Sequence, residues 1–303
     1  TTHLINAQTW NTLGTAQFVD EPKYIASTIN QSTGELYIAY VDESDNDHLK
    51  VKKYDGSSWI DVGLTVSGIG NVLIPNIEIN PATGEPWVIY RTDISASSKI
   101  LVVKRFDGTN WIDEGTNISG SSGGSPIVPG YRTFITFDDI GNAYIAYSSY
   151  YTSLHFRLYV RSNKTGSWQT QFNAQHTELS AFDYPEYDKF YYADMNNGNL
   201  RIFKREIDAN GNWPSALAYS NSDFPPGGFQ NAKTFEGLAA NKINENFLVK
   251  RNTSNSPIFY TGDNPTELFD SPANSNDARG RTMQIKFNPI DGNFYALYVN
   301  DSF

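Results

Sequence analysis

One phrase occurs twice in this chain: VKKYDGSSWIDVG at 51–63 returns as VVKRFDGTNWIDEG at 102–115. Extending the alignment, Trp10, Trp59, Trp111, Trp168 and Trp213 fall 49, 52, 57 and 45 residues apart, and Phe269 takes the next place 56 residues on. A second phrase precedes the anchors: TGELYIAYVDES at 33–44, TGEPWVIYRTDI at 83–94, IGNAYIAYSSYY at 140–151 and DGNFYALYVNDS at 291–302. KFYYADMNN and ENFLVKRNT are looser copies in the fourth and fifth units. A period of this size is that of a supersecondary unit which cannot bury its apolar face alone and must stack on a neighbour.

Each unit reads as strand, Gly-containing turn, β-rich strand, polar loop, third strand, and a second Gly-containing turn into the Trp strand. Runs of this length bounded by turn chemistry predict four antiparallel strands, the blade of a β-propeller. A sandwich or long solenoid is the alternative. The sixth unit stops after its second strand, at NFYALYVNDSF, while residues 1–10 carry a third-strand pattern and a Trp anchor. The expectation is therefore an all-β chain, a single domain over 1–303. It is a six-bladed β-propeller of four-stranded antiparallel blades, closed by N-terminal strands that complete the last blade. The Trp phrase recurs because each blade needs the same outer strand to pack on its neighbour.

Composition agrees. With 19 Tyr, 18 Phe and 6 Trp against 2 Met, the chain favours half-buried pleated surfaces over helices, and no window carries a helical apolar stripe. A formal charge of −10 argues against nucleic-acid binding, which needs clustered Lys and Arg. No apolar run reaches the roughly 18–20 residues of a membrane span, so no membrane insertion is expected. The absence of Cys removes disulfides and Cys-ligated zinc together. The chain opens TTHLINAQTW, with no signal-peptide pattern, and reads as a processed or excised piece. Its Asn/Ser/Thr/Gly/Tyr-rich surface leads us to expect an extracellular or cell-surface protein, part of a larger surface protein or a secreted monomer.

On these motifs the chain resembles secreted and cell-surface bacterial β-propellers with W-x-x-[LV]-G…YIAY…W repeats. Its layout is similar to six-bladed fucose-binding lectins. The resemblance spans the whole chain and implies fold more than activity. Asp55-Gly-Ser-Ser-Trp59 is one residue short of a sialidase Asp-box and lacks its Ser, and no Gly-His/Trp-Asp pairs of the WD40 kind are present.

In a blade, the first-to-second and third-to-fourth turns share one face. Here they are short and repetitive: NQSTGE, NPATGE, YDGSS, FDGTN. The opposite face is irregular, with DESDNDH (42–48), SSYYTSLH (148–155) and long interblade loops, and loop variation on a rigid scaffold is where binding usually resides. His3, His48 and His155 each open a third strand there, with Lys99 and Asn199 holding the place in two other units. Two readings stand: a repeated polar pocket between blades, or a strand-edge residue bonded to its own loop. Asp42, Arg91, Tyr150, Tyr151, Asp194, Arg251, Arg279 and Arg281 complete the candidate ligand-binding set on or near this face. Counting back from the turns, Thr28, Glu78, Thr136 and Lys286 share one register on the innermost strands, with Asp183 and Ala239 as approximate matches. They are the candidate lining of a central channel.

No cofactor or metal is expected. Asp42-x-x-Asp45-x-Asp47 offers oxygen ligands for Ca2+, but lacks the Gly an EF-hand-like turn needs and recurs in no other unit. The leading functional expectation is a non-enzymatic module binding a glycan or cell-surface ligand, and adhesive. The alternative is a polysaccharide lyase or glycoside hydrolase acting at the channel mouth, with Arg132 and His176 beside the residues above. No motif ties a catalytic set together.

Overall fold

The computed structural model describes Gly14, Val19, residues 22–68, 71–95, 98–116, 118, 129–138, 140–152 and 155–176, and the strands within 179–297. Side chains are described mostly up to residue 170. The first sheet is a four-stranded antiparallel meander of β1 (Pro22–Ile29), β2 (Leu36–Asp42), β3 (His48–Tyr54) and β4 (Trp59–Asp61). The second contains β5 (Val72–Ile79), β6 (Pro86–Ser95), β7 (Ser98–Phe106) and β8 (Trp111–Thr116). The third contains β9 (Pro129–Phe137), β10 (Ala143–Thr152), β11 (His155–Ser162) and β12 (Gln169–His176).

The pattern continues with β13 (Leu179–Glu186), β14 (Lys189–Asn196), β15 (Asn199–Glu206) and β16 (Leu217–Tyr219). A fifth sheet holds β17 (Thr234–Ala240), β18 (Phe247–Thr253), β19 (Ser256–Thr261) and β20 (Thr266–Asp270). A hairpin of β21 (Gln284–Asn288) and β22 (Asn293–Leu297) ends the described chain. From β1 to β21, the first strand of each sheet lies against the first strand of the next. The chain is thus all-β, built of antiparallel four-stranded sheets stacked side by side, in a propeller-like layout.

Two cores explain why β6 reads as an unbroken apolar run rather than an alternating one. Val88 and Tyr90 pack on the first sheet with Ala39, Val41, Leu49 and Val51, while Trp87 and Ile89 pack on the third with Ile135, Phe137, Ile145 and Tyr147. Successive side chains point to opposite faces, so a sheet covered on both sides needs apolar residues at every position.

The repetitive face is built from side-chain-capped turns. Asn30 Oδ1 accepts from Ser32 N (3.0 Å), Asn80 Oδ1 from Ala82 N (2.9 Å), and Asp138 Oδ1 from Asn142 N (2.8 Å). The same turns knit neighbouring sheets: Asn80 Nδ2 donates to Gly141 O (3.1 Å), and a Cβ at Gly141 would lie 2.7 Å from Asn80 Oδ1. The third-to-fourth turns use Asp55, whose Oδ1 accepts from Ser57 N and Ser58 N (both 2.9 Å), and Asp107 in the same role. These amides, Ser58 first, hold the Asp55 carboxyl at about 2.

The repeated Trp is a seam residue. Trp111 Nε1 donates to Val62 O (2.9 Å) and Trp168 Nε1 to Glu114 O (2.8 Å), each reaching the outer strand of the preceding unit three residues past that unit's own anchor. The Gly that follows makes room for the ring. Gly63 has φ +71°, and a Cβ there would stand 2.7 Å from Phe106 Cε2 and 3.2 Å from Trp111 Nε1. Gly115 is as crowded, with Trp168 Nε1 at 2.7 Å. Trp-x-x-x-Gly is therefore a two-sided joint: the Trp grips the unit before, and the Gly receives the Trp of the unit after.

Candidate functional site

The irregular face differs from sheet to sheet in charge and hairpin length. In the first, Asp42 ends β2 and caps a single 3-10 turn, Glu43–Asp45, accepting from Ser44 N (3.0 Å). Asn46 and Asp47 then take left-handed backbone (φ 54° and 56°), conformations Asn and Asp tolerate best among non-glycine residues. Lys50 reaches back from β3 to both Asp42 and Asp45, at 2.8 Å each. Lys23 of β1 bridges Glu43 (3.2 Å) and Asp47 (3.1 Å). Burial works to raise the Asp42 carboxyl, but the Lys50 and Ser44 bonds outweigh it and hold it below the usual carboxylate range. Its bonds to Asp42 and then Asp45 raise Lys50. The ammonium groups of Lys23 and Lys50 thus take up the three aspartates of the candidate calcium loop, and no group of three or more metal-ligating side chains occurs among the described residues.

His48 Nδ1 lies 2.7 Å from Asp45 O, so its ring is engaged by its own loop. In the second sheet Arg91 grips Asp93 with two bonds (2.8 and 3.0 Å), and Lys99 stands 3.7 Å from the same carboxylate. Backbone bonds join the two loops to the strand between them: Val72 N donates to Asp47 O (3.1 Å) and Asp93 N to Asn71 O (3.4 Å). Asp93 and Lys50, which organise these clusters, were not among the residues the sequence singled out. The signal for both is a charge of opposite sign on the facing strand, legible only once the register is known.

Asp42, Arg91 and Lys99 thus lie on the irregular face in ion-paired clusters. His48 and His155 both open third strands, but in hairpins of different length. His48 stands opposite Asp42, Lys99 opposite Asp93, His155 opposite Thr152 and Asn199 opposite Asn196. Counted from the equivalent residues Tyr37, Trp87, Tyr144 and Tyr191, only His48 and Asn199 occupy the same register. Tyr150 and Tyr151 fall in β10, Asp194 in β14 and Arg251 in β18; His3, Arg279 and Arg281 lie outside the described residues, as does Trp10.

On the first strands, Thr28 pairs with Tyr37, Glu78 with Trp87, Thr136 with Tyr144, Asp183 with Tyr191, Ala239 with Leu248 and Lys286 with Tyr295. These six residues share one register position. Two are brought together: Thr28 Oγ1 donates to Glu78 Oε1 (2.6 Å), and Ile79 N donates to the same oxygen (3.2 Å). Trp87, opposite Glu78, buries an indole N–H that has no partner among the described residues.

The fold has solved counterparts. A mutant of the Aleuria aurantia lectin in complex with Fucα1-6GlcNAc superposes with a TM-score of 0.59 at 10% identity, covering 91% of this chain and 88% of that one. A mutant of AofleA from Arthrobotrys oligospora gives 0.61 at 11% identity over 92% and 80% of the two chains. A structural-genomics target described as a gluconolactonase candidate gives 0.51 at 11% identity over 93% and 88%. At such identities the likeness is one of fold. No protein-family model matches the sequence, and no curated protein matches it.

Proposed function

We infer that this chain is a carbohydrate-binding module that presents a glycan site on its irregular loop face. The observation that carries this reading is the contrast between the two faces: one set of turns repeats the same Asx and Asp-Gly chemistry from sheet to sheet, while the hairpins opposite change in length, charge and ion pairing. Arg91, Asp93, Lys99, Asp42 and Lys50 supply charged donors and acceptors for sugar hydroxyls. Tyr150 and Tyr151 are the aromatic platform of the reading. The Aleuria aurantia lectin, with the same fold over most of its length, is a fucoside complex, which favours a glycan over other ligand classes. The module is exported, in a cell-surface or secreted setting.

The same reading closes six units into a ring, with Thr28, Glu78, Thr136, Asp183, Ala239 and Lys286 around its axis. Two observations support closure. A Cβ on Gly14 would lie 3.1 Å from Trp59 and 3.2 Å from Tyr54, as Gly63 meets Trp111 and Phe106, so Gly14, which follows the Trp10 anchor in the sequence, holds toward the first unit the place that Gly63 holds toward the second. Ile29 is apolar at the register position where Ile79 and Phe137 are buried against a preceding sheet; it is 49% exposed in this structure, and the closed ring would cover it.

A glycan array of neutral and acidic oligosaccharides, run beside assays for new reducing ends and unsaturated products, tests the function. Retention without product is expected, and Tyr150→Ala/Tyr151→Ala in a folded chain should weaken it at least about tenfold, a loss of about 1.4 kcal/mol. Product formation would instead place the chain among polysaccharide-degrading enzymes.

A further inference from the structure

Among the described residues, one cation lacks the partner its counterparts have. Lys52, Lys104 and Arg161 are equivalent, standing opposite Ile38, Val88 and Ile145 on the second strands of the first three sheets. Lys52 faces Asp61 on the outer strand and bonds it at 2.6 Å; Lys104 faces Asp113 and bonds it at 3.2 Å. Arg161 faces Thr170. The outer strand β12 reads QTQFNAQH, and the stretch 117–128, NISGSSGGSPIV, follows the second sheet; neither contains a carboxylate.

Acids of the second sheet are already committed. Asp113 is held by Lys104, and Glu85 and Glu114 by Arg105. Arg161 Nε is buried with no hydrogen-bond partner, and the side chain makes no ion pair among the described residues. An unsatisfied buried donor calls for an unseen acceptor, and a guanidinium offers a planar fork matched to oxyanions. Alternation places Tyr159, Arg161, Trp168 and Thr170 on the face turned toward the second sheet, where Tyr159 stacks on Tyr147 (5.5 Å, 14°) and Trp168 spans the seam to Glu114.

We propose that the seam between the second and third sheets is an oxyanion site in which Arg161 binds the carboxylate or sulfate of an acidic ligand, taking the place of the Asp that the other two sheets supply from within. The site is separate from the loop face. Only the sugar-borne form of the ligand rests on the carbohydrate-binding reading, so simple anions, sulfate and acetate, test the site independently of it.

The test is a titration of the 15N-labelled full chain, at constant ionic strength, with sodium sulfate, sodium acetate, glucuronic acid, glucose 6-sulfate and neutral glucose. The expected result is a saturable shift of the Arg161 Nε–H signal with at least one of the first four and none with glucose. Thr170→Asp, which recreates the Lys104–Asp113 pair at an exposed position, should weaken that binding about tenfold or more, and Arg161→Met should remove it. If sulfate and acetate act alone, the site stands and its sugar-borne ligand falls. An unresponsive Arg161 signal, a linear non-saturating shift shared by many cations, or undiminished binding in folded Thr170→Asp would overturn the proposal and leave a water as the acceptor.

Discussion

The Trp-x-x-x-Gly joint makes a quantitative claim that three glycine-to-alanine substitutions separate. Gly56 has φ +99° and open space where a Cβ would go, so Gly56→Ala measures only the cost of left-handed backbone, about 1–2 kcal/mol. Gly115 has no positive φ, but its Cβ would meet Trp168 Nε1 at 2.7 Å and Ile118 Cδ1 at 2.8 Å, so Gly115→Ala measures overpacking alone, about 1–3 kcal/mol. Gly63 combines both, with φ +71° and a contact at 2.7 Å to Phe106, and Gly63→Ala should therefore lose about 2–5 kcal/mol. Urea unfolding followed by Trp fluorescence reads the series as midpoint shifts at constant slope. A Gly63→Ala midpoint no lower than that of Gly56→Ala would refute the reasoning, since it would mean that the Phe106 and Trp111 rings can move away from Gly63 at no cost.

Two further expectations follow from the geometry. Asp55 has its folded pKa lowered to about 2, so the stability it lends is present above the ordinary carboxylate range and is lost as pH falls from about 4 toward 2. The melting-temperature gap between the wild type and Asp55→Asn should narrow across that window, and a gap constant from pH 5 to pH 2 would show that the charge contributes nothing. Ile29→Lys should destabilise the chain by about 1.5–3 kcal/mol if the last unit covers this face. A change within about 0.5 kcal/mol, as for an ordinary surface site, would mean the face stays open and the ring is not closed there.

The local chemistry was legible because it is written in contiguous residues. Asn30 and Asp55 cap turns within the next few positions, and the run Trp87-Val88-Ile89-Tyr90 announces a strand buried on both faces. The candidate site was less legible. Reading His48, Lys99 and His155 as equivalent rests on their order along the chain, whereas hairpin length decides register, and β10 pairs His155 three positions further out than β2 pairs His48.

Sequence by itself determined the unit, its four strands and the residue that joins one unit to the next, because turn capping and side-chain alternation act over two to five residues and recur with the period. Tertiary structure alone decided which charges meet. Asp93 gathers Arg91 and Lys99, Lys50 gathers Asp42 and Asp45, and Arg161 meets Thr170 where its counterparts meet Asp. A charge is satisfied or left waiting by the strand folded against it, and that strand lies across a turn whose length no repeat fixes.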